Sequence, residues 1–310
     1  MHRVFPHLHP VRLPVPAWRR WVAGIGLALC LAGQAVAAEI WVALSGREAV
    51  YQEFAEALRA ALPGDKLEVR AWSEFNPRQG SPDLIVAVGS EALRQLLPYA
   101  DKTPILSALV PRNSLDALNV GGKRLTSLYY EQPFARQAAL VRAAFPDKPR
   151  VGLVLGPITQ RYRATLEQTL RRQGLEPVIQ QIDDKSEMTD AFQTLLTRAD
   201  VFLALPDPDV IHSQSAKFIL LASYRQGVPV VGFSAAFVKS GAAVAVVSSV
   251  PQNAAEAAKM AREILSGRKW PGARAPAEYN VVVNPSVSRS LGLDLDAQSI
   301  EQRLHGDKGD

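Results

Sequence analysis

The stretch Val151-Gly152-Leu153-Val154-Leu155 is a nearly continuous apolar run, and it decides the fold class. Strands of this composition occur in parallel sheets that are covered by helices on both faces, because neither side of such a strand faces water. An amphipathic segment, 161–173, follows this run and predicts a helix, and a second strand is predicted at 177–182. Strands that alternate with helices are typical of a doubly wound α/β layer.

The same alternation of strands and helices extends over most of the chain. Further strands are predicted at 40–44, 67–71, 84–88, 105–109, 201–205, 228–232, 243–247 and 280–283. Helices are predicted at 49–62, 187–198, 210–226 and 254–266, from apolar residues at helical spacing and glycines past the helix ends. We therefore predict an α/β protein of two doubly wound parallel-sheet lobes joined by a hinge.

Two irregular passages predict where the chain crosses between the lobes. The first is 121–134, in which Gly121-Gly122 leads into 125–130 and then Pro133, and the second is the proline-rich passage 270–276. The resulting division assigns 39–127 plus about 249–272 to lobe 1 and 128–248 plus about 273–310 to lobe 2.

The first 38 residues have the organisation of a secretory signal peptide. Four arginines without any acid precede the apolar run 21–31, and Ala35-Val36-Ala37-Ala38 follows it. A membrane anchor is the alternative, but the run is shorter than the about 20 residues that span a bilayer. A lipoprotein site at Cys30 is a second alternative, although Leu29 is not the small residue that such a site needs. We expect a cleaved leader and a periplasmic protein.

The composition beyond this leader argues against several classes of function. Of the 35 Lys and Arg, 31 lie beyond it and are nearly balanced by 30 Asp and Glu, so no basic surface for nucleic acid is expected. Only His212 and His305 follow the leader, and no cysteine does, which makes a zinc site improbable. The segment Gly232-Phe233-Ser234-Ala235-Ala236 lacks the second glycine of a nucleophile elbow. We expect no metal, no cofactor and no enzymatic activity.

Several segments resemble the ABC-transporter substrate-binding family of the tryptophan/tyrosine type, whose fold is the type I periplasmic binding protein. The resembling segments, in chain order, are 82–90, 150–154, 199–207, 228–231, 238–241 and 284–293. The resemblance implies capture of a small ligand, with amino-acid-like compounds as one candidate class, between lobes that close by hinge bending. It also implies delivery to an ABC permease in the inner membrane, and we expect a monomer. A periplasmic sensory module that presents its bound form to a receptor is the alternative function.

Ligands of open α/β sheets bind beyond the carboxyl ends of the strands, so the loops there supply the candidate ligand-binding residues. They are Ser45, Arg47, Ser90, Arg112, Thr159, Tyr162, Asp207, Asp209, Ser234 and Phe237. Arg47 and Arg112 are candidates to clamp a carboxylate, with a solvated arginine as the alternative for each. Ser90 is a candidate ligand contact or a plain helix N-cap.

The resemblance implies that Asp207 corresponds to an aspartate that the family places in its cleft. The alternative is that Asp207 caps a helix whose first residue is Pro208. The chain departs from the family where Gly156, Thr159 and Tyr162 replace an asparagine, an acid and a serine. Ser234 and Ala235 also replace an acidic pair, so a less charged pocket that includes Phe237 is expected; capping and packing remain the alternatives for its residues.

Overall fold

A computed structural model of the chain describes residues 37–76, 80–118, 122–267 and 270–306. Nearly all of the predicted leader, including Cys30, lies outside these residues, and so does Gly121 of the predicted first crossing. No helix among the described residues is both long enough and apolar enough to cross a membrane.

The first sheet has five strands, all parallel, in the order β2-β1-β3-β4-β5. Its strands are β1 (Glu39–Leu44), β2 (Lys66–Ala71), β3 (Leu84–Val88), β4 (Ile105–Val110) and β5 (Leu125–Tyr129). The central strands β1, β3 and β4 are buried along almost their whole length, as their apolar composition requires.

The second sheet has six strands in the order β11-β10-β9-β8-β6-β7. Its strands are β6 (Arg150–Leu155), β7 (Glu176–Gln181), β8 (Val201–Leu203), β9 (Val230–Gly232), β10 (Val244–Val247) and β11 (Asn280–Val283). Only the last strand, β11, is antiparallel to its neighbour, and the remaining pairs are parallel.

Helices cover both faces of each sheet. They are α1 (Ala49–Ala61), α2 (Ser90–Leu96), α3 (Arg112–Asp116), α4 (Phe134–Ala144), α5 (Arg163–Arg172), α6 (Met188–Leu196), α7 (Ser213–Arg225), α8 (Ala235–Lys239), α9 (Val250–Leu265), α10 (Pro285–Ser290) and α11 (Ala297–Gly306). On the first sheet, α1 and α9 share one core and α2 lies in the other. On the second, α4, α5 and α11 share one core, and α6, α7 and α8 share the other. The predicted α/β fold with two doubly wound sheets is confirmed.

The chain passes between the two sheets three times. It does so after β5, again between β10 and α9, and a last time between α9 and β11. As a result, α9 follows a strand of the second sheet but packs on the first. Its most extensive contact with another helix there is with α1.

The segment 125–130, which we predicted as part of the first crossing, is instead mostly the fifth strand of the first sheet. Its residues pair with β4, and the crossing starts only after Tyr129. Polar Thr126 and Ser127 conceal this buried strand in the sequence. The hydroxyl of Ser107 in β4 donates to that of Ser127 at 2.8 Å, which makes the burial of both side chains tolerable. The lobe boundaries stay a prediction.

Candidate functional site

A small cavity lies where the carboxyl ends of strands from the two sheets meet. The first sheet contributes residues that follow β4 and β5, and the second contributes residues that follow β6 and β8. The lining residues are Arg112, Asn113, Glu131, Phe134, Gln137, Ile158, Thr159, Tyr162, Leu205 and Pro206. Its volume of about 20 Å³ has room for about one water molecule, so any larger occupant requires a lining side chain to move.

The side chain of Arg112 lines this cavity and contacts two aromatic rings. Its guanidinium carbon lies 4.2 Å from the centre of the Tyr129 ring and 5.4 Å from that of Phe134. Both distances are within the range of attraction between a cation and an aromatic ring. Among the described residues the guanidinium donates no hydrogen bond and forms no ion pair, so these two rings are its principal contacts.

Two residues that line the cavity, Glu131 and Gln137, carry hydrogen-bond acceptors. The Glu131 carboxylate accepts the main-chain N–H of Arg112 at 2.9 Å, and burial raises the pKa of this carboxyl group. The amide of Gln137, on the first turn of α4, donates to the carbonyl of Gln132 at 3.3 Å. Its carbonyl oxygen Oε1 is buried and has no hydrogen-bond partner among the described residues. A buried acceptor without a donor is costly and marks a place where a ligand donor is favourable.

Asp207 organises the second-sheet side of the cavity through contacts within the chain. Its carboxylate accepts the main-chain N–H of Thr159 at 3.0 Å and the Thr159 hydroxyl at 2.7 Å. It also accepts the N–H of Asp209 at 3.1 Å. A Cβ at Gly156 would lie 2.8 Å from this carboxylate, so the glycine makes room for it.

The alternative that Asp207 caps the next helix is wrong. That helix, α7, begins at Ser213, and the ring of His212 accepts the N–H of Ser215 as its N-cap. Asp207 instead fixes the turn 156–160 that carries Thr159 to the cavity. Because three donors already use its oxygens, a role in direct ligand contact remains a prediction for Asp207, as it does for Asp209.

Tyr162 connects the two sheets across the cavity. Its phenol donates to the Asp116 carboxylate at the end of α3, and its ring meets that of Phe134 edge to face, with 5.4 Å between centres. Burial, and then the hydrogen bond to Asp116, raise the pKa of the Tyr162 phenol. The phenol therefore stays protonated and acts as a hydrogen-bond donor at neutral pH.

On the first sheet, Ser45 and Ser90 lie together at the amino end of α2. The N-cap of this helix is Gly89, not Ser90, and its φ of +87° suits glycine. The Ser45 hydroxyl accepts the N–H of Ala92 at 2.9 Å, so a side chain from another strand end does the capping. A Cβ at Gly89 would lie 2.5 Å from that hydroxyl oxygen, and thus the glycine permits the contact.

The remaining predicted residues have simple local contacts. Ser234 is the N-cap of α8 and accepts the N–H of Phe237 at 3.1 Å. The ring of Phe237 is buried and stacks on Phe233, with 5.1 Å between centres. Arg47 is exposed. The cavity thus brings together Arg112, Thr159 and Tyr162 of the ten predicted residues, and ligand contact by any of the ten stays a prediction.

Our sequence reasoning missed Glu131 and Gln137, which supply the acceptors. Because 125–130 was assigned to a crossing, the strand end that precedes Glu131 was not recognised. With β5 ending at Tyr129, Glu131 is a polar residue just past a strand end, the same criterion that selected Arg112.

A chain of hydrogen bonds joins the three crossings beside the cavity. The side-chain amide of Gln132, in the first crossing, donates to the Ser248 hydroxyl of the second at 2.9 Å. That hydroxyl donates in turn to the carbonyl of Glu278, in the third crossing, at 2.7 Å. A further tie comes from Arg136, which donates to the carbonyl of Pro276 at 2.9 Å.

The part of the chain that the structure describes contains no group of three or more His, Cys, Asp or Glu that could hold a metal ion. The contacts above are those of a recognition site: an edge-to-face pair of rings, a cation, a carboxylate, and amide and hydroxyl groups.

Two sheets whose carboxyl edges meet at a small polar and aromatic cavity define a type I periplasmic binding protein fold, and solved structures support this. The chain resembles a ligand-free, open substrate-binding protein with adhesive properties, CD0873 of Clostridium difficile, at a TM-score of 0.68 and 15% identity, over 84% of this chain and 96% of that one. It also resembles an ABC domain of Streptococcus pneumonia in complex with L-Trp, at a TM-score of 0.57 and 14% identity, over 86% and 98% of the chains. A conserved domain protein of Vibrio cholerae gives a TM-score of 0.57 at 18% identity, over 85% and 97%.

The family model described as "ABC transporter substrate binding protein" matches residues 76–300. The chain belongs to this family of substrate-binding proteins. No curated protein matches the chain.

Proposed function

We propose that this protein captures one small ligand between the carboxyl edges of its two sheets and delivers it to an ABC importer in the inner membrane. In this proposal each sheet with its covering helices is a lobe, and the three crossings are the hinge. A separate ATPase supplies the energy for transport. Family membership supports the ligand-binding role, and the geometry of the cavity supports its location.

The observation that carries the proposal is that both sheets contribute side chains to one cavity. Arg112 and Asn113 come from the first sheet, while Thr159, Tyr162 and Pro206 come from the second. A ligand held by both sets gains contacts only when the sets are close together, so binding favours the closed arrangement of a hinged pair. The three joined crossings are where such a motion is expected to bend.

The cavity supports a ligand that presents hydrogen-bond donors together with apolar surface. Its acceptors are Glu131 and Gln137, and its apolar walls come from Phe134, Ile158 and Leu205. The cavity also contains the charged side chains of Arg112 and Glu131, so the less charged pocket that the departures at Thr159 and Tyr162 predict stays a prediction. Because the free volume is small, entry requires Arg112 to move or the two sheets to separate.

We expect the purified protein to be stabilised by its ligand in a thermal unfolding screen. The compounds are amino acids, amines, nucleosides and organic acids, each tested well above its expected dissociation constant. A ligand present at about 100 times its Kd adds about 2.7 kcal/mol to the free energy of unfolding, provided that it binds only the folded state.

Glu131→Gln should reduce this stabilisation, whereas the exposed Arg225→Ala serves as the matched surface control. If no compound from the screen or from a periplasmic extract raises the unfolding temperature, the capture function fails. Ligand binding without any uptake in cells that contain an ABC permease encoded beside this protein would favour the sensory module over the transporter component.

A further inference from the structure

We infer that the cavity receives the positively charged head of an organic amine or guanidine, in the place that the Arg112 guanidinium now occupies between the rings of Tyr129 and Phe134. The inference rests on the proposed capture function and specifies the chemical class of the ligand. Arg112 is then a displaceable internal occupant and does not clamp a carboxylate.

The Arg112 guanidinium lies in surroundings that suit a cation. Two ring faces lie 4.2 Å and 5.4 Å from its central carbon, and the edge-to-face contact with Tyr162 orients the Phe134 ring. Aromatic faces attract a cation and offer nothing favourable to an anion. The structure thus already holds a planar cation at this position.

A set of acceptors remains when Arg112 leaves. Glu131 presents a carboxylate, and Gln137 presents a buried carbonyl oxygen that lacks a partner among the described residues. The Thr159 hydroxyl already donates to Asp207, and the Tyr162 phenol already donates to Asp116. A ligand that supplies donors satisfies these acceptors, whereas a ligand that supplies only acceptors does not.

Arg112 is free to leave. Within the described ranges its guanidinium makes no hydrogen bond or ion pair, so displacement costs the ring contacts and a longer-range attraction to Glu131, which a cationic ligand would replace. Its main-chain N–H bond to Glu131 does not depend on the side chain, so Glu131 keeps its position when the side chain swings out. Because the cavity without this movement holds about one water, exchange of one cation for another is the simplest route of entry.

The test is a pair of small probes of opposite charge, methylguanidinium and acetate, titrated by ligand-observed NMR against four proteins. These are the wild type, Arg112→Ala, the double variant Arg112→Ala/Glu131→Gln, and Arg225→Ala as an exposed-arginine control. Circular dichroism verifies the fold of each. Arg112→Ser is the substitute if the alanine variant does not fold, because serine is well tolerated at the start of a helix such as α3.

We expect methylguanidinium to bind Arg112→Ala about tenfold or more tightly than the wild type, because the internal competitor is gone. Adding Glu131→Gln should weaken this binding about fivefold or more, since the carboxylate partner is lost. The Arg225→Ala control should behave as the wild type. Acetate should bind none of the four proteins measurably.

Either of two results overturns the inference. One is that methylguanidinium binds Arg112→Ala no more tightly than the wild type. The other is that acetate binds the wild type and is lost in Arg112→Ala, which would make Arg112 a carboxylate clamp. Neither result affects the capture function, which the compound screen tests separately. Conversely, a failed screen together with tight methylguanidinium binding would leave the cation site in place and remove the transport role.

Discussion

At the scale of the residue, Gly156 and Asp207 depend on each other. The family resemblance places an asparagine where this chain has Gly156, and any Cβ there would lie 2.8 Å from the Asp207 carboxylate. With glycine, the buried carboxylate turns inward and accepts two hydrogen bonds from Thr159. The resemblance assigns Asp207 to direct ligand contact in the cleft, but in this chain Asp207 supports the turn 156–160, which lines the cavity.

Replacement of Asp207 by alanine is therefore expected to lower the free energy of unfolding. The Thr159 N–H and hydroxyl and the Asp209 N–H would lose a charged acceptor in a buried place, which we expect to cost about 2–4 kcal/mol. Urea unfolding monitored by circular dichroism measures the loss. Asp209→Ala is the matched control, since only its main-chain N–H takes part in this network. Equal stability of Asp207→Ala and the wild type would contradict the supporting role.

How much of the site the sequence predicts is also decided residue by residue. Arg112 was predicted from its position after a strand end, and Thr159 and Tyr162 were predicted from the family resemblance; all three line the cavity. Gln137 lies on the first turn of α4, where nothing in the sequence separates it from an ordinary surface glutamine. Its importance comes from burial and from an oxygen that has no partner within the described ranges, which are properties of packing and not of pattern.

At the scale of the element, Arg150 and Asp200 join the starts of two neighbouring strands. Arg150 begins β6, and Asp200 immediately precedes β8. The guanidinium donates twice to the carboxylate, at 3.0 and 2.6 Å, and the Arg150 main-chain N–H donates a third bond at 3.0 Å. These hydrogen bonds, the side-chain ones most, lower the pKa of the Asp200 carboxyl group.

A lowered pKa in the folded state gives this pair a defined pH dependence. Its stabilisation is present above the ordinary aspartate pKa and is lost as the pH falls through the lowered value. Asp200→Asn should therefore reduce the free energy of unfolding at pH 7 and have progressively less effect toward pH 3. Because the Arg150 side chain is half exposed, solvent screens the pair, and we expect a difference of about 1 kcal/mol or less.

Urea unfolding at several pH values between 3 and 7 measures this difference. Arg150→Gln should show the same decline toward low pH, because it removes the other partner of the pair. A penalty for Asp200→Asn that stays constant over this range would show that the charge of Asp200 is not involved.

Most strands are predicted to within one residue of their bounds, whether they are fully buried, as β3 is, or partly exposed, as β2 and β11 are. The strands β3 and β11 have the predicted bounds, and β1, β4 and β6 differ by one residue. The strand β5 was missed, because Thr126 and Ser127 interrupt its apolar pattern. A hydrogen bond from Ser107 compensates for the burial of Ser127. Only the pairing with β4, which depends on distant sequence, reveals it as a strand.

At the scale of the whole molecule, the three crossings form one connected unit. Ser248 accepts from Gln132 and donates to Glu278, so one hydroxyl links all three passages of the chain. Arg274, in the third crossing, makes a second connection. Its main chain forms hydrogen bonds with Ser127 and Tyr129 at the edge of β5. Its guanidinium binds Glu256 and Glu263 on α9 at 2.8–3.0 Å.

Ser248→Ala should loosen this unit without affecting either core. The buried amide of Gln132 and the Glu278 carbonyl would lose their partner, at a cost of about 1–3 kcal/mol. Amide hydrogen exchange should become faster at residues of the three crossings and stay unchanged in β3 and β6. Exposed Ser290→Ala, whose hydroxyl bonds only within its own helix α10, is the control. Equal exchange rates in Ser248→Ala and the wild type would contradict a shared hinge.

The route of the chain also determines when each half can finish folding. A nascent polypeptide that extends only to Val247 contains every strand of the first sheet but not α9, which shields the apolar side chains beside α1. The first sheet is synthesised early but cannot bury this face until α9 has been made. Until then its exposed apolar surface favours aggregation or binding by a chaperone. A stop codon after Val247 would accordingly damage the half encoded first as well as the half that it truncates.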